Sequence, residues 1–132
     1  INKDRSNQGR LFVFKVGGTK DVKPLPPEGA PMTEPPAQTA DAATIQQGFV
    51  KYSRNCLVCH GFFAQSDGVV PDLREAPPEI WNAYDDIVLN GALSHGGMAP
   101  FRDLLTKDDV AAIRAYILQQ AHLAWDQAHP KK

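Results

Sequence analysis

The sequence predicts an all-α domain behind an extended N-terminal segment. Three observations carry that expectation. From Asp41 onward, apolar residues recur at three- and four-residue steps, the period of a helix face. Residues 24–40 hold six of the eleven prolines (Pro24, Pro26, Pro27, Pro31, Pro35 and Pro36), a density that forbids helix and favours extended polyproline conformation. One short run reads as a strand, Leu11-Phe12-Val13-Phe14-Lys15-Val16 closed by Gly17-Gly18, and no second convincing strand follows it.

Taken in order, the chain divides into residues 1–23, a proline-rich linker at 24–40 and a helical domain at 41–132. A lone strand in the first part needs a partner sheet to satisfy its edges. The linker is semi-rigid, or is a tail that wraps the domain; both can hold together. Asp41 is placed to cap a helix running through Ile45, Phe49 and Tyr52 toward Asn55. Pro77-Pro78 opens a second helix, where missing N–H groups are tolerated. Ile80, Tyr84 and Ile87/Val88 give it an apolar face, and Asn90-Gly91 ends it. Thr106 is the expected N-cap of the last helix, with Asp108 and Asp109 suited to its dipole in the first turn. Val110, Ile113, Ile117, Ala121 and Ala124 make its apolar stripe, and Pro130 stops it.

Charge and length exclude several classes. The 132 residues suit one domain, and 42% of them are apolar, enough for a core. Fourteen Lys and Arg nearly cancel fifteen Asp and Glu, so the basic stripe of a nucleic-acid binder is missing. No run of 18 apolar residues offers a membrane span. The first residues, Ile1-Asn2-Lys3-Asp4-Arg5, are polar and unlike a signal peptide. Either a leader has been removed or the chain is part of a longer one.

The chemistry concentrates at Cys56-Leu57-Val58-Cys59-His60, which holds the only two cysteines. A Cys-x-x-Cys pair can be a redox disulfide, half of a zinc site or a haem anchor. A thioredoxin-type disulfide wants a βαβ setting, whereas this pair ends an amphipathic helix. Zinc wants four ligands, and no second pair exists. The histidine that follows favours covalent haem c: two thiols add across the porphyrin vinyl groups and His60 lies under the iron as a metal ligand. Met98, in Gly96-Gly97-Met98-Ala99-Pro100, is the candidate ligand on the opposite side. It stands outside any amphipathic face, and its soft thioether favours ferrous iron. His95 is its competitor, read as a surface or propionate-side residue. His122 and His129 are expected to face solvent.

Residues 41–123 resemble a class I cytochrome c domain. The matching residues are Gly48-Phe49, the CLVCH box, Val70-Pro71-Asp72-Leu73, Gly97-Met98 with Pro100, and Ala112-Ile113-Arg114-Ala115-Tyr116-Ile117. The resemblance implies a few helices around one covalent haem, with first and last helices crossing at Gly48, Phe49 and Tyr116. It implies that the Pro71 carbonyl accepts a hydrogen bond from the proximal His60, that Leu73 packs on the haem face, and that Trp81 donates to a haem propionate. Ala99 departs from the Met-Pro pairing of many members, which bears on the loop's shape.

Gly9 to Gly18 is similar to the closing strand of the β-propeller in pyrroloquinoline quinone (PQQ) dehydrogenases. In quinohaemoprotein alcohol dehydrogenases a propeller, a proline-rich linker and a cytochrome domain follow in that order. This resemblance implies an electron-transfer domain with no catalytic site of its own. Electrons would come from a PQQ dehydrogenase domain, PQQ residing there and not in this fragment, and pass to a copper protein, another cytochrome or a quinone-linked acceptor in the bacterial periplasm. The alternatives are a free-standing cytochrome with an N-terminal extension, a haem enzyme with an open iron site, and a thiol redox module.

Overall fold

A computed structural model describes residues 14–19, 21, 32–66 and 70–130. Among them the regular structure is helical, with α1 at Ala42–Asn55, α2 at Leu57–His60, α3 at Pro78–Asn82, α4 at Tyr84–Asn90 and α5 at Lys107–Ala128. Single 3₁₀ turns lie at Phe62–Ala64, Leu73–Glu75 and Ser94–Gly96. No helix among the described residues is long and apolar enough to cross a membrane.

The expected ends are set by local chemistry. Asp41 accepts a bond from the Thr44 N–H at 2.8 Å and starts α1. Thr106 and Asp109 form a reciprocal capping box at the start of α5, with bonds of 3.1 and 3.0 Å. The helix expected from Pro77 to Asn90 is instead two, because Ala83 leaves helical geometry at φ −93°, ψ 9°. Gly91 ends α4 in the left-handed region at φ 73°.

Residues 11–13 of the expected strand lie outside the described residues. Its described end is not a strand: Lys15 to Gly18 forms a turn closed by the Gly18 N–H on the Lys15 carbonyl at 3.0 Å. No strand forms among the described residues to serve as its neighbour, and an isolated strand leaves its backbone groups unpaired.

Residues 24–31 of the proline-rich segment likewise lie outside the described residues. The described end, 32–40, is laid along α5. Pro35 is buried, Gln38 donates its side-chain amide to the Ala115 carbonyl at 2.7 Å, and His122 Nε2 meets the Pro36 carbonyl at 2.8 Å. His122 is therefore half-buried under this strap, contrary to the expected solvent exposure. An extended proline segment has unpaired carbonyls, and a helix histidine can supply the missing donor.

The core is the crossing of α1 and α5. Gly48 makes it possible: a Cβ there would lie 1.9 Å from the Ala112 carbonyl oxygen, so the two backbones touch where no side chain intervenes. Tyr116 then packs against Phe49 and Tyr52, with ring centroids 5.5 and 5.1 Å apart. The predicted stripe of α5, Val110, Ile113, Ile117, Ala121 and Ala124, is buried throughout. Lys51 and Asp109, 2.8 Å apart, bind the two helices at the edge of the crossing.

Candidate functional site

The CLVCH box occupies one helical turn. The N–H groups of Cys59 and His60 both bond the Cys56 carbonyl, at 3.2 and 2.9 Å. Both cysteines are free thiols, Cys56 half-buried and Cys59 exposed. Burial, with the neighbouring Cys59 second, pushes the Cys56 thiol up to about 11, which keeps it in the neutral form. Among the described residues no three His, Cys, Asp or Glu side chains converge as a metal cage.

His60 is 9% exposed. Its Nδ1 faces the Pro71 carbonyl at 3.4 Å, the long end of the hydrogen-bond range. With Nδ1 so occupied, Nε2 is the nitrogen left for a metal. Burial pulls the imidazole pKa down, while the Pro71 carbonyl opposes it. The net effect favours the neutral ring, the form that ligates.

The turn is held from both sides. Gly61 follows it at φ 72°, ψ 176°, and a Cβ there would sit 2.2 Å from the Gln65 carbonyl oxygen, so glycine is required. Tyr52, inaccessible to solvent, reaches from α1 to donate its hydroxyl to the Gly61 carbonyl at 2.8 Å. Phe63 and Ala64 then adopt positive φ of 60° and 58°, a conformation disfavoured for side-chain-bearing residues.

The other predicted site residues are distributed as follows. Leu73 is partly buried against the core. With Ala76, Ile80, Trp81, Tyr84 and Ile117 it lines an apolar cavity of about 20 Å³. Met98, together with Cys56, Leu57 and Phe101, is half-buried on the same hydrophobic cluster. Its loop is anchored at both ends, by the left-handed Gly91 cap and by the Phe101 N–H on the Val88 carbonyl at 2.8 Å. His95 is exposed on the 3₁₀ turn of that loop, and His129 is exposed and stacked on Trp125.

The Trp81 indole N–H is donated to the Ala76 carbonyl at 2.8 Å. Trp81 is buried and stacks with Tyr84 at 6.3 Å, acting as a wall of the core.

Several residues of the site carry no signal in sequence spacing. Tyr52 reads as part of an apolar helix face, yet its hydroxyl holds the Gly61 turn. Arg74, 8% exposed, pairs with Asp72 at 2.6 Å. Arg114 lies with its guanidinium carbon 5.9 Å from the Tyr84 ring centre. Tyr84 is buried, and burial pushes its phenol pKa up, with Cys56 adding to the effect. An Asp–x–Arg pair after a proline could have been noticed as a candidate bridge, but spacing says nothing of its burial.

The donor set fits a haem: two unpaired thiols separated by two residues on a single turn, a buried imidazole with one nitrogen to spare, and a thioether on the same apolar cluster. Fold and site together define a c-type cytochrome domain. The family model described as "Cytochrome C oxidase, cbb3-type, subunit III" matches residues 43–117, and the chain belongs to that cytochrome c family, with one covalent haem c as its cofactor.

Relatives place it more closely. Quinohemoprotein alcohol dehydrogenase ADH-IIG of Pseudomonas putida is 36% identical over 114 residues, which is 86% of this chain and 16% of that protein. Cytochrome c550 of Pseudomonas aeruginosa is 35% identical over 112 residues, 80% of this chain and 75% of that one. The solved structure of ADHIIG from Pseudomonas putida HK5 superposes with a TM-score of 0.69 at 36% identity, covering 82% of this chain and 16% of that chain. The chain thus spans about one sixth of the length of its quinohemoprotein relatives. It is a cytochrome c domain homologous to those of quinohemoprotein alcohol dehydrogenases and to free cytochrome c550.

Proposed function

We propose that Cys56 and Cys59 carry the haem, that His60 Nε2 and the Met98 sulfur ligate its iron, and that the domain relays electrons delivered by a PQQ dehydrogenase unit. The observation that carries the site assignment is the buried His60, turned by Pro71 so that only Nε2 remains free, one residue after Cys59. When bound, haem c supplies a one-electron couple. The chain's own residues do the rest. Pro71 orients the imidazole, burial keeps it neutral, Leu73 supplies apolar surface, and the anchored loop presents Met98. Two ligands leave no open iron position, which suits electron transfer rather than oxygen or peroxide chemistry.

The similarity to quinohemoprotein alcohol dehydrogenases supports a PQQ-bearing donor. Downstream, a copper protein, a second cytochrome or a quinone-linked carrier accepts the electron in the periplasm. The cytochrome c550 match supports a second reading, a free-standing carrier with an N-terminal extension. The reading frame upstream of Ile1 separates them: a propeller's length of coding sequence is expected, and a start codon with a signal peptide there overturns the PQQ-linked reading.

The ligands are tested on the haem-loaded protein. Denaturing gels stain for haem in the parent and lose the stain when both cysteines are replaced. The ferric spectrum shows a methionine-to-iron charge-transfer band that Met98→Ala abolishes. Absence of that band in the parent, or rapid stoichiometric carbon monoxide binding to its reduced form at neutral pH, refutes the closed six-coordinate site.

A further inference from the structure

We infer that the pair of half-buried Asp72 and buried Arg74 is a positioning device for His60: it holds the Pro71 carbonyl against the imidazole and so sets how strongly that ring donates to the iron. The inference rests on the reading of His60 as iron ligand.

The Asp72 carboxylate receives three bonds from one residue. Arg74 gives it the backbone N–H at 3.0 Å and Nε at 2.9 Å, both on Oδ1, and Nη2 at 2.6 Å on Oδ2. The third arm of the guanidinium, Nη1, reaches the Gln65 side-chain oxygen at 3.3 Å. Gln65 belongs to the segment that leaves His60, and Asp72 and Arg74 to the segment that leaves Pro71. One side chain therefore ties together the two stretches between which the His60–Pro71 bond is made.

Pro71 has no N–H with which to anchor itself. Its carbonyl lies in the peptide plane shared with Asp72, so the conformation of Asp72 aims it. Taking the Arg74 charge, and much of the Asp72 charge, out of water opposes burial of such a pair, and an apolar pair in its place is often as stable. A single-turn 3₁₀ segment needs no buried guanidinium to cap it, since the Asp72 side chain already accepts the Arg74 N–H. The target of the clamp is sensitive: at 3.4 Å the His60–Pro71 bond lies where a small displacement abolishes it. A carbonyl drawing on Nδ1–H makes the ring a stronger donor and stabilises ferric iron. Loosening it raises the reduction potential.

The test compares Asp72→Asn and Arg74→Gln in the haem-loaded protein, reading the equilibrium potential and the exchange rate of the His60 Nδ1 proton by NMR. Charge alone shifts the two variants oppositely, because one loses a negative and the other a positive group. Positioning raises the potential in both, by about tenfold in the one-electron equilibrium, or about 59 mV, and speeds proton exchange in both. Arg74→Lys, which keeps the charge without the fork, is expected to behave as Arg74→Gln. Shifts of opposite sign, or Arg74→Lys at the parent potential, overturn the inference. Should Arg74→Gln not fold around the stranded carboxylate, the neutral Asp72→Asn/Arg74→Gln pair serves: a raised potential supports positioning and the parent value overturns it. Failure of the ligand reading looks different, as a parent protein with covalent haem but no low-spin six-coordinate spectrum.

Discussion

Replacing Gly48 with alanine tests whether the α1–α5 contact is what shapes this domain. The new methyl carbon would stand 1.9 Å from the Ala112 oxygen, 2.6 Å from its carbonyl carbon and 3.0 Å from Tyr116 Cβ. A tolerable carbon-to-oxygen approach is about 3.3 Å, so the helices must separate by about 1.4 Å at the crossing. Gaps of 0.5–1 Å already forfeit roughly a quarter to a half of each dispersion contact, and the contacts at stake include Tyr116 with Phe49 and Tyr52. Overpacking by a methyl group costs about 1–3 kcal/mol when side chains can adjust. Here the obstacle is backbone, so the loss lies at or above the upper end. Alanine returns about 1 kcal/mol through its better helix propensity. The net destabilisation is about 2 kcal/mol or more, a fall in melting temperature of about 8–16 °C for a domain of this size. The assay is thermal unfolding of haem-loaded protein by far-ultraviolet circular dichroism, with the Soret band followed in parallel. Gly96→Ala is the control, since nothing lies within 4 Å of its added carbon. A Gly48→Ala protein that melts within about 2 °C of the parent refutes the close-crossing argument.

Other outcomes follow from the same contacts. Tyr52→Phe strips the Gly61 carbonyl of its donor and is expected to lower stability by about 1–3 kcal/mol in urea titrations; an unchanged midpoint counts against the hydroxyl's role. In Gly61→Ala, the methyl meets the Gln65 carbonyl at 2.2 Å, and the prediction is a sharply reduced yield of haem-stained protein, checked against total expression. The Asp109 carboxyl is held down to about 2, first by Lys51 and then by Thr106. A carboxylate with a depressed folded pKa stabilises fully above its ordinary value of 3.8 and loses that contribution as pH falls through the folded value. Stability should therefore decline between about pH 4 and pH 2, and Asp109→Asn should flatten that part of the denaturation-midpoint profile. An unaltered profile in the variant would assign the acid sensitivity to other groups.

Where the sequence was legible, the reason was local. Asp41, Thr106, Gly91 and Pro78 act on backbone groups within a few residues, so their identities suffice to place helix ends. The buried stripe of α5 repeats with the helix period and announces itself without any partner. Ala83 gave no such warning, because alanine is the best helix former and nothing in its identity marks the break between α3 and α4. The partner of the Trp81 indole was equally silent, since an N–H donates to whatever carbonyl the fold brings near, here that of Ala76, five residues away.

By itself, the order of residues determined the cofactor of this protein and the turn proposed to hold it. Cys56, Cys59 and His60 lie on one turn, and the bonds that build that turn span four residues at most. The tertiary structure alone decided how that turn is used. Tyr52 and the Gly61 carbonyl are nine residues apart, His60 and Pro71 eleven, and His122 and Pro36 eighty-six. Such bonds depend on where two separately formed segments are brought by burial of a shared core, a global balance that no local spacing encodes. The motif names the cofactor, and the packing around it selects which imidazole nitrogen is free, keeps the ring neutral and sets how tightly it is held.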